Sequence, residues 1–359
     1  MGEFIHRNFA PAMSLSQSVE VSTLSLHQNC PEWVEVMKRA DVVILHMVYQ
    51  SSILDWVGNR CPTDAKIVFE ISDLITQPAG FDRWDIATQE LLKLLRPTLA
   101  LCDGLQFTSP EIEREFTSFH KPSASFVNHL LSMPPLPYLR RKTPLQLGWG
   151  GSVTHLQDIA EILPAIQIAL ESGEFIFQLM APLEVQNLVK DTLQRHQEQL
   201  VIHQPSSLTN YYSFLQALDL GICPVMKSKF NAARTDIKFI EYASRGVVTL
   251  APKLPPYHTS VIDGETGWLY QRPDELPSIL DNLAKNPASL TCTRLQAYQH
   301  VKSERLLSLQ HNENRLGFYR QICPSPKASS TQRLNDIEAI MRKTQTTKRT
   351  SQHLMIYPT

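Results

Sequence analysis

The chain has no long apolar run, no basic excess and no paired-cysteine pattern, and each absence removes a class of function. No stretch approaches the roughly 18 consecutive apolar residues that a bilayer-spanning helix needs, so a membrane-embedded protein is not expected. The net charge is -1 over 359 residues, whereas a domain that grips nucleic-acid phosphates is strongly basic. Nucleic acid is therefore not an expected partner. Six cysteines stand at 30, 61, 102, 223, 292 and 323, none in a CxxC pair. That spacing argues against a zinc site or a disulfide framework and for ordinary buried thiols. The N-terminus lacks the charged, apolar and small-residue succession of a secretory signal, so a cytoplasmic protein is expected. GxGxxG and a P-loop lysine are both missing, which weakens dinucleotide and P-loop readings. No DxD-type ligand set is present, and no metal site is expected.

What is there is a globular composition, 43% hydrophobic and 19% charged, in a chain long enough for two domains. An α/β domain normally opens with an apolar strand and a glycine-rich turn. Residues 1–15 (MGEFIHRNFAPAMSL) carry neither. Either the start is trimmed and replaced by foreign residues, or the first strand is degenerate.

From residue 19 the pattern is regular. Strands are expected over 19–24, 40–48, 65–75, 104–109 and 124–130. Helices are expected over 31–40, 53–57, 86–102 and 110–119. Residues 133–144 (MPPLPYLRRKTP) hold four prolines in twelve positions and little that could pack, as a linker does. A second alternating series follows. Its strands are 145–152, 174–180, 200–204, 219–225 and 247–252, and its helices 154–172, 182–196, 208–218, 230–245 and 273–287, with one or two more over 293–321. Such alternation predicts doubly wound parallel sheets. The expected organisation is an acceptor-side Rossmann-like domain over 1–133, a linker over 134–144 and a nucleotide-binding domain over 145–300. A helix over 301–323 would pack back toward the first domain, and 324–359, rich in Ser, Thr, Gln and Lys, would be a polar tail.

The strongest signal runs through 230–250 (FNAARTDIKFIEYASRGVVTL). On one helix Arg234, Lys238 and Glu241 share a face, being i, i+4 and i+7. Two cations and a carboxylate so arranged suit a nucleoside diphosphate, with Arg234 and Lys238 on phosphates and Glu241 on ribose hydroxyls. The plain alternative is a solvated charged face. Gly246 would stop this helix and lead into a buried strand. At 148–152 the turn GWGGS follows a strand and precedes a helix, so Gly150, Gly151 and Ser152 could bring backbone to an anion; an unliganded tight turn is the alternative. Thr154 and Gln157 fit a capping box at that helix start.

A third signal is the loop over 255–270, with turn pairs Asp263-Gly264 and Thr266-Gly267, which either lines a cleft or is only a hairpin. In the first domain Glu70, Ser72 and Asp73 lie where a strand ends and are expected to face a cleft. Asp73 is the catalytic candidate among them. His46 and His129 are expected to be packing or loop residues.

Taken together, the two alternating series, the proline-rich linker, GWGGSVTH at 148–155 and FNAARTDIKFIEYASRGVVTLAP at 230–252 resemble the GT-B glycosyltransferases, specifically the retaining family 4 (glycosyl transferases group 1). ADVVILHMVYQ, FEISDLI and CDGLQFTSPEIEREF look like that family's N-terminal domain, and the resemblance covers most of 20–320. It implies two Rossmann-like domains facing each other across a cleft and transfer of a sugar from a nucleotide-diphosphate sugar, with retention. The acceptor would be a glycan, a lipid or a small molecule, and no cofactor would be needed. By position, Glu241 matches the second glutamate of the E-x7-E motif on the donor ribose, and Arg234 and Lys238 match the basic pair on the diphosphate. Gly150 and Gly151 match the glycine loop near the phosphates. The loop around 257–261, with Tyr257, Thr259 and Ser260, matches one near the nucleotide. One departure stands out: eight residues before Glu241, where the family often has its first glutamate, this chain has Ala233. Two other readings stay open, a non-catalytic sugar-nucleotide or glycan-binding module and a GT-B sugar-nucleotide 2-epimerase. The oligomeric state is open too. So is a peripheral membrane contact through Arg140, Arg141 and Lys142, against the plainer reading of these as a solvated linker.

Overall fold

The computed structural model describes residues 5–21, 23, 39–48, 54, 55, 57, 65–78, 82–137 and 144–324. The chain divides into two units. One, the N-terminal unit, comprises Arg7–Asp73, Ala87–Val127 and Ser308–Thr359; the C-terminal unit comprises Met1–His6, Leu74–Ile86 and Asn128–Leu307.

The N-terminal unit is built on four parallel strands in the order β1-β2-β3-β4: β1 (Val42–His46), β2 (Lys66–Ile71), β3 (Gly104–Phe107) and β4 (Ser123–Ser125). Residues 68–71 of β2 and all of β3 are buried on both faces, the mark of a strand covered by helices. The first described residues are helical, in a π-helical turn Ile5–Phe9 and α1 (Ala10–Leu15). Pro11 sits in the first turn of α1, where its missing N–H costs nothing. No strand precedes β1 among the described residues. Residues 19–21 and 23 of the expected 19–24 strand carry none, and of the helix expected over 31–40 only 39 and 40 are among the described residues, 39 being helical. Helix α2 (Asp82–Leu101) precedes β3, and α3 (Pro110–Glu115) follows it, capped by the Ser109 hydroxyl on the Ile112 amide. The expected 124–130 strand is shorter: pairing ends at Ser125, and from Asn128 the chain belongs to the C-terminal unit.

A polar network ties Arg7 of the π-helical turn and Tyr319 near the end of the described chain to this sheet. Arg7 donates from Nε to Glu70 Oε1 at 2.5 Å, and Gln106 donates to Glu70 Oε2 at 2.5 Å. Tyr319 donates to Gln106 at 2.9 Å, and the Arg315 guanidinium lies 4.2 Å from the centre of the Phe126 ring. Burial alone would raise the Glu70 carboxyl, but Arg7 and its neighbours hold it below its ordinary value. Glu70 is therefore not turned to a cleft as its place at the strand end suggests; it is 1% exposed and fully engaged as a structural anion. Removing one partner of such a pair strands a buried charge, which costs about 3–5 kcal/mol. Arg7→Ala is accordingly expected to lower the unfolding free energy of the full chain by about that amount in urea melts followed at this unit; an unchanged midpoint would contradict the network's role.

The C-terminal unit has six parallel strands in the order β10-β9-β8-β5-β6-β7. They are β5 (Leu145–Gly150), β6 (Phe175–Met180), β7 (Leu200–His203), β8 (Leu220–Ile222), β9 (Val248–Pro252) and β10 (Trp268–Tyr270). The chain moves outward from β5 through β6 to β7, then returns to the other side of β5 with β8. The strand order therefore reverses between β5 and β8, and ligands of such sheets bind beyond the strand C-termini at that point. Helices α4 (Leu156–Leu170), α5 (Leu183–Thr192) and α6 (Leu208–Gln216) follow β5, β6 and β7. Short α7 (Lys229–Ala232) and α8 (Ile237–Ser244) follow β8; α9 (Tyr257–Ser260) follows β9; α10 (Leu276–Lys285) follows β10. Helix α11 (Pro287–Glu304) begins at Pro287 rather than near 293, with Asn286 capping the Ser289 amide. The strand β10 was not expected: Asp263 and Gly267 close a tight bridge, and 268–270 then pair with β9 in parallel, so this loop is no hairpin.

The proline-rich stretch also departs from expectation, since its first half is pinned. Met133 packs against the cluster around Phe239 and Tyr242; Tyr298 donates to the Pro134 carbonyl at 2.8 Å; Arg294 bonds the carbonyls of Pro137 and Gly246. Residues 138–143, including Arg140, Arg141 and Lys142, lie outside the described residues. Helix α12 (Leu309–Ile322) starts with a Ser308–His311 capping box and belongs to the N-terminal unit, where Leu316, Phe318, Tyr319 and Ile322 cluster with Leu15 and Val68. The tail beyond 324 lies outside the described residues. Among the described residues no helix is long and apolar enough to cross a membrane.

Candidate functional site

The site forms where the strand order of the C-terminal unit reverses, and it begins with the glycine turn that ends β5. Gly150 lets the chain come close to two rings: a Cβ there would lie 3.1 Å from both Tyr211 and Phe214, tighter than an ordinary contact. At Gly151 a Cβ would fall 2.1 Å from the Trp149 ring, so the turn folds back on its own tryptophan. The Gly151 amide donates to the Met180 carbonyl at 3.0 Å. The expected Thr154–Gln157 capping box is not formed: a 3-10 turn Val153–His155 leads into α4, and the Thr154 hydroxyl pairs with Ser152 at 2.7 Å instead.

Arg234 does not share a helix with Lys238 and Glu241. Helix α7 ends at Ala232, α8 starts at Ile237 with Asp236 at its N-cap, and Arg234 stands in the break. The break is held from both sides. Thr235 accepts from Asn128 at 2.9 Å, and Asp236 takes a bidentate ion pair from Arg305. Those tertiary bonds outweigh the local helical pattern. Arg234 is nevertheless kept near the turn. Its guanidinium lies over the Phe230 ring at 5.2 Å, 3.2 Å from His155 Nδ1 and 3.8 Å from Asp158 Oδ2.

Asp158, buried in the first turn of α4, gathers this half of the site. It accepts from the Met226 amide at 2.8 Å and Asn231 Nδ2 at 3.1 Å on Oδ1, and pairs with His155 Nδ1 at 2.8 Å on Oδ2. Burial would raise its carboxyl, but the bonds from His155 and Met226, with Arg234 beside them, hold it below the usual range. Burial, followed by the neighbouring Arg234, pushes the His155 imidazole down to about 4, so it is uncharged at neutral pH. The His155 ring meets Trp149 edge-on at 5.9 Å, which joins this cluster to the glycine turn.

Glu241 gathers the other half. It is 3% exposed. Tyr211 donates to its Oε2 at 2.8 Å, Lys238 Nζ lies 3.7 Å from the same oxygen, and His6 Nε2 is 3.2 Å from Oε1. Lys238 in turn donates to the Tyr211 hydroxyl at 2.7 Å. Tyr211 thus touches Gly150 with its ring and fixes both charged groups with its hydroxyl, and burial together with Glu241 pushes its own ionisation well above 10.

Of the other candidates, Tyr257 is packed in the apolar cluster with Phe239 and Val261, while Thr259 and Ser260 turn their hydroxyls to the Pro256 carbonyl at 2.9 and 3.2 Å. Asp73 belongs to the N-terminal unit, half-buried beyond β2, next to Ser72, whose hydroxyl pairs with His46 at 3.1 Å. Among the described residues no group of three His, Cys, Asp or Glu is placed to hold a metal. His155, Asp158 and Tyr211 were not singled out from sequence. The first two carried a usable signal, an i, i+3 His–Asp pair directly after the glycine turn; Tyr211 carried none.

Burial raises the Glu241 carboxyl, yet Lys238, His6 and Tyr211 outweigh it and bring it to about 2. A carboxyl that titrates lower in the folded chain stabilises it fully above its unfolded value and loses that contribution as the pH falls toward the folded one. The stability gap between wild type and Glu241→Gln in urea melts should therefore hold from about pH 7 to about pH 5 and shrink by about pH 3. A gap unchanged at about pH 3 would contradict the network.

No protein-family model matches the chain, and no curated protein matches it. Solved structures do. TarM superposes with a TM-score of 0.60 over 79% of this chain at 10% identity, and the chain spans 56% of TarM. HepE from Anabaena, in complex with UDP and glucose, has a TM-score of 0.60 at 12% identity over 80% of this chain and 79% of its own. A glycosyltransferase from Rickettsia africae has 0.56 at 14% identity over 85% and 84%. At such identities the likeness is one of fold, and this chain has the GT-B architecture of two parallel-sheet α/β domains.

Proposed function

We propose that the protein is a glycosyltransferase whose C-terminal unit binds a nucleotide-diphosphate sugar. The observation that carries this reading is the gathering of Lys238, Glu241, Tyr211, Arg234 and the Gly150–Gly151 turn where the order of six parallel strands reverses. Complexes of HepE with UDP and glucose on the same fold support a uridine diphosphate donor. Arg234 and Lys238 would hold the diphosphate, and the N-terminus of α4 adds a positive helix end beside it. Oε2 of Glu241 is committed to Tyr211 and Lys238, so a ribose hydroxyl would bond Oε1, exchanging for the His6 contact.

In this reading the bond between the sugar C1 and the diphosphate oxygen breaks, and its electron pair stays on the diphosphate. The acceptor hydroxyl, from a glycan, a lipid or a small molecule, bonds to C1 on the same face and passes its proton to that diphosphate, so configuration is retained. The protein's part is to stabilise the charge growing on the leaving group, and preorganised cations do this most effectively in a site shielded from water. Tyr211 and Glu241 keep Lys238 in place for it. Asp73 is the candidate acceptor-side carboxylate.

A second reading, a sugar-nucleotide-binding module without turnover, draws on Ala233, which is 2% exposed and offers no polar group. Turnover separates the two. With UDP-sugars and the full chain, release of UDP is expected, and Lys238→Ala is expected to slow it about a hundredfold or more in protein whose circular dichroism at the assay temperature still matches wild type. Release at the wild-type rate in Lys238→Ala would sink the assignment; binding with no release from wild type would favour the module.

A further inference from the structure

Asp158 decides what the His155 ring can do. Its Oδ2 stands 2.8 Å from His155 Nδ1, and an acceptor at that distance requires the proton on Nδ1. Arg234 NH1, 3.2 Å from the same nitrogen, then has no lone pair to meet there and turns its donors to Asp158 and Asn231, at 3.8 and 3.5 Å. Nδ1 is spent, which leaves Nε2 with a lone pair and no hydrogen. Among the described residues nothing bonds Nε2, and the side chain keeps 17% of its surface exposed. The ring is fixed against Trp149 at the end of the glycine turn, close beside the cation Arg234. An uncharged acceptor cannot bind a phosphate oxygen, which is itself an acceptor; it can bind a hydroxyl.

We propose that His155 Nε2 accepts a hydrogen bond from a hydroxyl of the donor's sugar, and that Asp158 is the positioning residue that holds the ring in the required tautomer. This rests on the donor-site reading above and adds to it the group that distinguishes a nucleotide sugar from a bare nucleotide. Burial and Arg234, which keep the ring uncharged near neutral pH, are consistent with it.

The test compares UDP with UDP-sugars by isothermal titration of the full chain, using UDP-glucose, UDP-galactose and UDP-N-acetylglucosamine. In His155→Asn the side-chain amide can still donate to Asp158, but no acceptor reaches the position of Nε2. UDP affinity is expected to stay within about twofold, while the tightest UDP-sugar weakens about three- to tenfold, the worth of one hydrogen bond. Equal losses for UDP and UDP-sugar, or none for either, would overturn the proposal while leaving the donor site standing. No binding of any of these ligands by wild type would overturn both. Nitrogen NMR of the wild-type imidazole needs no variant. A protonated Nδ1, and an Nε2 resonance that moves with UDP-sugar but not with UDP, are expected; a protonated Nε2 in the free protein would end the proposal.

Discussion

A carboxylate taken out of water must be matched by donors or cations, and four buried carboxylates set by that rule organise both units. Glu70 locks Arg7 and its π-helical turn to the four-stranded sheet. Asp236 fixes the break before α8 through Arg305. Asp158 and Glu241 do the same at the end of β5, where their partners include cations that a ligand can also use. The difference lies in what remains available. At Glu70 both partners are consumed inside the unit, so the group is structural. At Asp158 and Glu241 the partnered Arg234 and Lys238 side chains stay about one-fifth exposed, with donors to spare.

This arrangement explains why the candidate groups sit on loops and short helices. Parallel strands in the six-stranded sheet place every connecting loop after a strand C-terminus at one edge. At the reversal of order between β5 and β8 the glycine turn and the loop that carries Arg234 lie on either side of the point where such sheets bind ligands. Packing supplies the rigidity: Trp149, Tyr242 and Phe239 are fully buried beneath the site, and Tyr211 spans from the turn to the ion pair.

Much of this was legible beforehand because it is written in local period and punctuation. Alternation of strands and helices predicted two parallel sheets, and Gly246, at φ 70°, ends α8 as a C-terminal glycine should. The failures have a common physical cause, tertiary bonds that override local pattern. Arg234 left the helical face because Asp236 and Thr235 bond to Arg305 and Asn128. The Thr154 hydroxyl went to Ser152. The proline-rich stretch reads as a linker because little in it could pack, yet Met133 packs on the Phe239 cluster and Arg294 and Tyr298 hold its carbonyls. Tyr211 was invisible because its role depends on meeting Gly150, some sixty residues away in sequence.

The central claim is that Lys238, Arg234 and the glycine turn form a nucleoside-diphosphate site, and thermal unfolding of the full chain against UDP, GDP, ADP and CMP tests it most directly. A ligand at about a hundred times its dissociation constant stabilises by about 2.7 kcal/mol, a shift of several degrees. The account predicts such a shift with UDP, larger than with the other nucleotides and abolished in Arg234→Ala. No shift with any diphosphate, or one that survives in Arg234→Ala, would contradict it.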